Sequence, residues 1–311
     1  MYHALVEARV PFDLVHEAFL TPERLDRYAA VVLANAAALS DAQCAALRAY
    51  VARGGGLVAT FESSRYDEDG RKRADFGLAD LFGVRDAGGI DGPMNNSYLT
   101  LETDPRTGRR HEVLAGLEEA PRVINGVWRA RVTPLAVGSA PLTLVPSYPD
   151  LPMEDVFPRQ ERTDTGELSL TEPGRGRVAY FPWDVDRTFW EVLSPDHGAL
   201  IAGAVRWAAR GAAPVTVTGP GLVDVAVWRQ AASMTVHLVN LTNPMCMKGP
   251  LRELLPLGAQ RVRVTLPDDA RATNVTLLTL GVSPHVTREG PSLTIDVPSI
   301  LDHEVVAIDL A

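Results

Sequence analysis

Uninterrupted apolar runs alternate with amphipathic stretches along the first two thirds of the chain. Val31-Val32-Leu33-Ala34, Leu57-Val58-Ala59-Thr60-Phe61 and Arg177 to Phe181 have the composition of strands covered on both faces of a parallel sheet. Helix signals lie between them. Leu5, Val6 and Arg9 fit the end of an amphipathic helix stopped by Pro11, and Phe12-Asp13-Leu14-Val15 reads as a short strand. Thr21-Pro22 offers a capping hydroxyl followed by proline at the first helical position. Ser40-Asp41-Ala42-Gln43 is a capping box, and the helix behind it is expected to run to Arg53 and stop at Gly54-Gly55-Gly56. Asp196 to Arg210 places Leu200, Ala204, Trp207 and Ala208 on one helical face. Strands alternating with helices of this length predict an α/β layer with a parallel sheet. From Gly83 to Gly176 the pattern becomes β-rich: Ser97 to Glu102, Arg129 to Leu135, Leu142 to Val145 and Leu168 to Thr171 lie between Pro- and Gly-rich turns, as an excursion from the same domain. Gly211-Ala212-Ala213-Pro214 reads as a linker. Beyond it, strand candidates at 215–217, 223–228, 235–240, 261–266, 274–280, 292–297 and 304–308 have the spacing of a small all-β sandwich. The expected domains are therefore 1–212 and 213–311.

An α/β sheet ordinarily opens on a strand, whereas this chain opens within a helix. In a flavodoxin-like order the first strand is central, and without it both neighbours would keep unpaired backbone groups. The expectation is that the first strand is missing, and that upstream sequence or a partner fills the slot; the alternative is that the sheet uses another order and needs nothing. Composition adds limits. The 311 residues are 46% hydrophobic and 22% charged, with a formal net charge of -9 and a pI near 5.3. An acidic chain with scattered basic residues is not built for nucleic acid or anionic lipid. No apolar run reaches the roughly 20 residues of a membrane span, and the start of the chain lacks signal-peptide character. The expected location is cytoplasmic.

Leu5 to Asp13, Leu39 to Gln43, Tyr50 to Phe61 and Gly174-Arg175-Gly176-Arg177-Val178-Ala179-Tyr180-Phe181-Pro182, taken in order, resemble the β-galactosidase trimerisation domain. That domain follows the catalytic barrel in glycoside hydrolase family 42 and related glycosyl hydrolases. His237-Leu238-Val239-Asn240-Leu241-Thr242-Asn243 resembles a strand of their C-terminal β-domain, so the resemblance covers essentially the whole chain. It implies an amidotransferase-like α/β fold without amidotransferase chemistry, assembly into a homo-oligomer (a trimer in the family), and a separate upstream (β/α)8 barrel that hydrolyses β-galactosides with two glutamates. No residue here matches those glutamates, so no catalytic residue is carried over.

Class I glutamine amidotransferases place a Cys nucleophile on a strand-to-helix elbow; Cys44 instead falls within a helix, sharing a face with Leu47 and Val51, and reads as core. Cys246, between Met245 and Met247, reads as a packed or idle thiol. The histidines are dispersed, His197 and His237 reading as structural, and no set has metal-ligand spacing. Gly54-Gly55-Gly56 precedes a strand rather than following one, the wrong order for a phosphate cradle. No cofactor and no metal are expected. One constellation remains. Ligands of open α/β sheets bind beyond the carboxyl ends of strands, and the residues following Phe61 and Phe181 lie there. Glu62, Tyr66, Trp183, Asp184, Asp186, Arg187 and Trp190 are the candidate ligand-binding set, suited to a small polar or sugar-like ligand. The competing structural expectation is that they satisfy one another, with Arg187 bridging Asp184 or Glu62, or form a subunit contact. The expected function is a non-catalytic oligomerisation and accessory region of a β-galactosidase-like glycoside hydrolase. The alternative is a stand-alone hydrolase or carbohydrate-binding protein using the strand-edge pocket.

Overall fold

The computed structural model describes residues 1–135, 139–211, 213–242 and 253–311. The secondary elements in chain order are α1 (Tyr2–Glu7), α2 (Pro22–Leu25), β1 (Ala30–Leu33), α3 (Asp41–Arg53), β2 (Gly56–Thr60), α4 (Ala79–Phe82), β3 (Val84–Asp91), β4 (Tyr98–Leu101), β5 (Arg122–Ile124), β6 (Arg129–Pro134), β7 (Leu142–Val145), β8 (Ser169–Thr171), β9 (Arg177–Phe181), α5 (Val185–Val192) and α6 (Pro195–Ala208). They continue as β10 (Val215–Thr218), β11 (Val223–Arg229), β12 (Ser233–Asn240), β13 (Gln260–Thr265), β14 (Ala272–Leu277), β15 (Val286–Glu289), β16 (Ser292–Val297) and β17 (His303–Leu310). The chain is of mixed α/β class and divides into two compact units: Leu14–Gly211 with Met1, and Tyr2–Asp13 with Ala212–Ala311.

The first unit is built on a sheet of order β1-β2-β9-β8, in which β1, β2 and β9 are parallel and β8 is an antiparallel edge. Local chemistry explains how the chain enters it. Ser40 accepts from the Gln43 backbone N–H while the Gln43 side chain accepts from the Ser40 N–H, so the expected capping box starts α3. Each of the three glycines after α3 has its own reason. Gly54 caps the helix at φ 118°. A Cβ on Gly55 would lie 2.2 Å from the Tyr50 ring, and one on Gly56 would lie 2.3 Å from the Ala208 carbonyl oxygen. The run serves packing between α3, β2 and α6. Leu47, Val51, Leu57, Ala59, Val178 and Tyr180 join one core cluster, and the whole expected face of α6 is buried.

Several expectations differ from the structure. Phe12 to Val15 is not a strand: Phe12 packs edge-on against the Tyr2 ring and Leu14 is 81% exposed, with no neighbouring ladder to hold them extended. The sheet has no open slot inside it, because β1 pairs β2 and β2 pairs β9 directly; the unpaired side of β1 is a sheet edge, and of its residues only Leu33 is buried. Leu168 to Thr171 does not stay in the excursion; as β8 it pairs with β9. The rest of the excursion forms a two-stranded β3-β6 sheet, bulged between Asp86 and Ile90, and a three-stranded β5-β4-β7 sheet. β3, β5, β15 and α5 were not anticipated.

The second unit contains two four-stranded antiparallel sheets, β10-β13-β16-β15 and β11-β12-β17-β14, whose buried valines, leucines and isoleucines form one core cluster. The sequence pattern places 1–212 in one domain, but Tyr2–Asp13 clusters with this unit. Arg9 is the reason. Its Nη2 lies 2.8, 3.0 and 2.7 Å from the carbonyl oxygens of Gly219, Pro220 and Gly221, and its Nη1 is 3.0 Å from Gln260 Oε1. A guanidinium can satisfy several acceptors at once because its donors are fixed in a planar fork. The carbonyls converge because Gly219 and Gly221 adopt φ 148° and 78°, a turn that side chains would block.

Candidate functional site

Beyond the ends of β2 and β9 the chain is tied down rather than loose. Phe61 and Ser64 adopt left-handed φ values of 49° and 62°, which turn the backbone sharply after β2. Ser63 donates to the carbonyls of Leu33 and Thr60, and Ser64 accepts from the Leu78 N–H. This turn delivers Arg65 inward, only 2% exposed. Its guanidinium grips both oxygens of Asp86 at 3.0 and 3.1 Å, Glu62 Oε1 at 3.0 Å and the Gly89 carbonyl at 3.0 Å. Tyr66 O–H donates to the same Glu62 oxygen, and Lys72 approaches Asp86 at 3.3 Å. Burial by itself would raise the Asp86 pKa, but Arg65, the Gly88 N–H and Lys72 outweigh it and hold the carboxyl below its ordinary range. Burial, aided by Glu62, pushes the Tyr66 phenol up.

A second network lies past β9. Trp183 is fully buried and donates its indole N–H to the Glu167 carbonyl at 2.9 Å. Asp184 accepts from the Trp128 backbone N–H at 3.0 Å and from Thr188 at 3.3 Å through Oδ1, while its buried Oδ2 has no partner among the described residues. Desolvation raises its pKa against those donors. Arg129 Nη1 bonds Asp91 at 2.9 Å, and Arg129 Nε lies 2.7 Å from Glu167 Oε1. The latter is an ion contact whose N–H does not point at the oxygen. Full burial lifts the Glu167 pKa to about 7 despite Arg129. Asp91, where burial is outweighed by Arg131 and Arg129, is held low.

The candidate residues therefore separate. Glu62 and Tyr66 come together around Arg65. Trp183 and Asp184 enter the buried network. Asp186, Arg187 and Trp190 ride on α5, outside it. Arg187 bridges neither Asp184 nor Glu62: it is exposed and pairs with Glu191 one helical turn away at 2.8 Å. That correction follows from the helix, which sets i and i+4 side by side and leaves Asp184 at its cap. The residues that organise the region, Arg65, Asp86, Asp91, Arg129 and Glu167, come from four segments and carried no shared sequence signal. Cys44 is buried, its thiol pKa raised by desolvation, and lies beside Gly77. His197 is buried with Nε2 2.7 Å from the Ile124 carbonyl. Cys246 and its flanking methionines lie outside the described residues. Among the described residues no group of three or more His, Cys, Asp or Glu could hold a metal, and no helix is long and apolar enough to cross a membrane.

The second unit carries an open cleft of about 680 Å³. Among its lining residues Asp296 lies 3.1 Å from His285 and accepts from Arg261 at 3.3 Å, and Leu277, Val282 and Pro284 supply apolar surface.

No family model and no curated protein matches the chain. Solved structures do. The α-L-fucosidase isoenzyme 2 from Paenibacillus thiaminolyticus superposes with TM-score 0.74 at 18% identity, over 99% of this chain and 44% of that one. A β-galactosidase from Bacillus circulans sp. alkalophilus gives 0.63 at 14%, over 99% and 36%. A cold-adapted β-galactosidase from Rahnella sp. R3 gives 0.59 at 15%, over 99% and 36%. At these identities the likeness is one of fold, and the chain has the architecture of a portion, less than half the length, of each of these glycosidases.

Proposed function

We propose that this chain is a non-catalytic accessory and oligomerisation region of a β-galactosidase-like glycoside hydrolase, its first unit an amidotransferase-like domain and its second a small β-sandwich. The observation that carries this reading is the filling of the carboxyl edge of the parallel sheet. There, where open α/β sheets receive ligands, Arg65, Trp183, Asp184 and Glu167 are each 3% exposed or less. Retaining glycoside hydrolysis needs two carboxyl groups about 5 Å apart across a sugar-sized space. Asp91 and Glu167 share Arg129, but Glu167 has no exposed surface for a substrate to touch. The fold likeness to a minor part of several glycosidases supports the same assignment, with the catalytic barrel elsewhere in the assembly.

The chain's partner in this reading is another copy of itself. On the first unit, Ile124, Trp190, Val192 and Leu193 are each more than half exposed, and the His197 bond to the Ile124 carbonyl ties β5 to the start of α6, one turn from Leu193. Large exposed apolar side chains suit a contact surface, and a trimer is the assembly proposed. Purified chain assayed on nitrophenyl β-galactoside and α-fucoside is expected to show no turnover above buffer. Turnover that disappears in Glu62→Gln would replace this reading with the stand-alone hydrolase.

A further inference from the structure

We propose that His237 and His303, paired across the outer face of the second unit's β11-β12-β17-β14 sheet, form a bidentate site for a divalent metal ion of the zinc class. Along β12, Met234, Val236 and Leu238 enter the core, which turns Thr235, His237 and Val239 to the opposite face. On β17, Val306 and Ile308 enter the core and His303 faces the other way. The register sets His303 opposite Val239, two residues from His237, so the imidazoles meet on a cross-strand diagonal. His237 Nδ1 lies 3.2 Å from His303 Nε2, with the ring planes 16° apart.

That separation is the bite of a metal chelate. Zinc–imidazole bonds of about 2.0–2.1 Å meeting at roughly 90–109° put the two nitrogens about 2.9–3.4 Å apart. The tautomers are also suited. With Thr235 Oγ1 3.2 Å from His237 Nε2, an Nε2–H donating to that hydroxyl leaves the Nδ1 lone pair free, and a neighbour that fixes the outer nitrogen is the usual support of a metal-bound histidine. His303 then shares its Nε2 proton with His237 Nδ1. On metal binding that proton moves to His303 Nδ1 through solvent, so two neutral imidazoles each give one lone pair and no net proton is released. Both rings are only half-buried, open to an entering ion. Asp224, opposite Val239 on β11, lies on the same face. Water completes the coordination, as it must where the protein supplies two ligands.

The test is calorimetric titration of zinc ion into the whole chain at pH 7.4, in buffer without chelators. One zinc per chain is expected, at micromolar affinity. His237→Gln or His303→Gln should weaken binding at least tenfold, and the metal-free melting curve, unchanged by these outer-face substitutions, shows that they fold. The absence of saturable binding to the unmodified chain, or unchanged affinity in the folded double variant, overturns the assignment.

Discussion

Glu167 follows a glycine two residues before the short edge strand β8, and nothing in Gly166-Glu167-Leu168 marks it as buried. In the folded chain it has no exposed surface, and burial, only partly opposed by Arg129, lifts its pKa to about 7. The sign of the consequence is definite. A carboxyl whose folded pKa lies above its unfolded value makes the folded chain bind more protons, so stability falls as pH rises across the interval between the two. The window here runs from the ordinary glutamate value of 4.5 to about 7. Urea unfolding of the first unit followed between pH 4.5 and 7 should show that decline, of order a few kcal/mol at most, and Glu167→Gln should flatten it. A variant that keeps the full slope would show that Glu167 is not its source. Of the other buried charges, Arg65 and Asp184 stood among residues the sequence brought to the correct sheet edge. That they would be buried could not be read, because a charged residue's partners come from distant segments, here β3 and Trp128.

At the scale of elements, start and stop signals were legible because they are local. Ser40 and Gln43 are three residues apart, and Gly54 caps the same helix. Where a glycine answers a distant segment, the signal is silent. Gly203 lies inside α6, where glycine costs helix stability, and its purpose appears only in the fold: a Cβ there would come 2.1 Å from the Val113 carbonyl oxygen. Gly203→Ala should therefore destabilise by about 1–3 kcal/mol through overpacking, although alanine is the better helix former. Ser40→Ala should cost about 1 kcal/mol through loss of the cap. Denaturant melts of both variants check the order; a stabilising Gly203→Ala would mean that α6 is free to move off Val113. Phe12 to Val15 illustrates the opposite failure. Its composition suits a strand, but a strand needs a neighbour; Phe12 packs instead on the Tyr2 ring and Leu14 is exposed.

For the whole molecule, the first residues illustrate how chain order and spatial membership part. Tyr2–Asp13 precedes the α/β unit in sequence yet clusters with the β-rich unit, held by Arg9 on three successive carbonyls. The proposed assembly rests on the exposed apolar group around α5. Leu193 is 52% exposed at φ 50°, a conformation that Asn adopts readily, so Leu193→Asn removes apolar contact without straining the turn. Light scattering on the unmodified chain at about 100 μM should report an oligomer, and Leu193→Asn combined with Trp190→Ala should shift it to smaller species. A strictly monomeric unmodified chain would remove the oligomerisation role.

The sequence by itself determined the alternation of strands and helices before Gly83, the strand-rich character of the described residues beyond 212, the helix caps and the burial of the α6 face. Each depends on residues within a turn or two of one another, where periodicity and capping chemistry act directly. Only the tertiary structure decided that the carboxyl edge of the sheet is filled by Arg65, Trp183 and Glu167, that β8 returns to the main sheet, and that His237 meets His303. Those outcomes depend on which distant segments share a desolvated space, and the energy of a charge, a ladder or a pair of imidazoles is set by its neighbours there rather than by its neighbours in the chain.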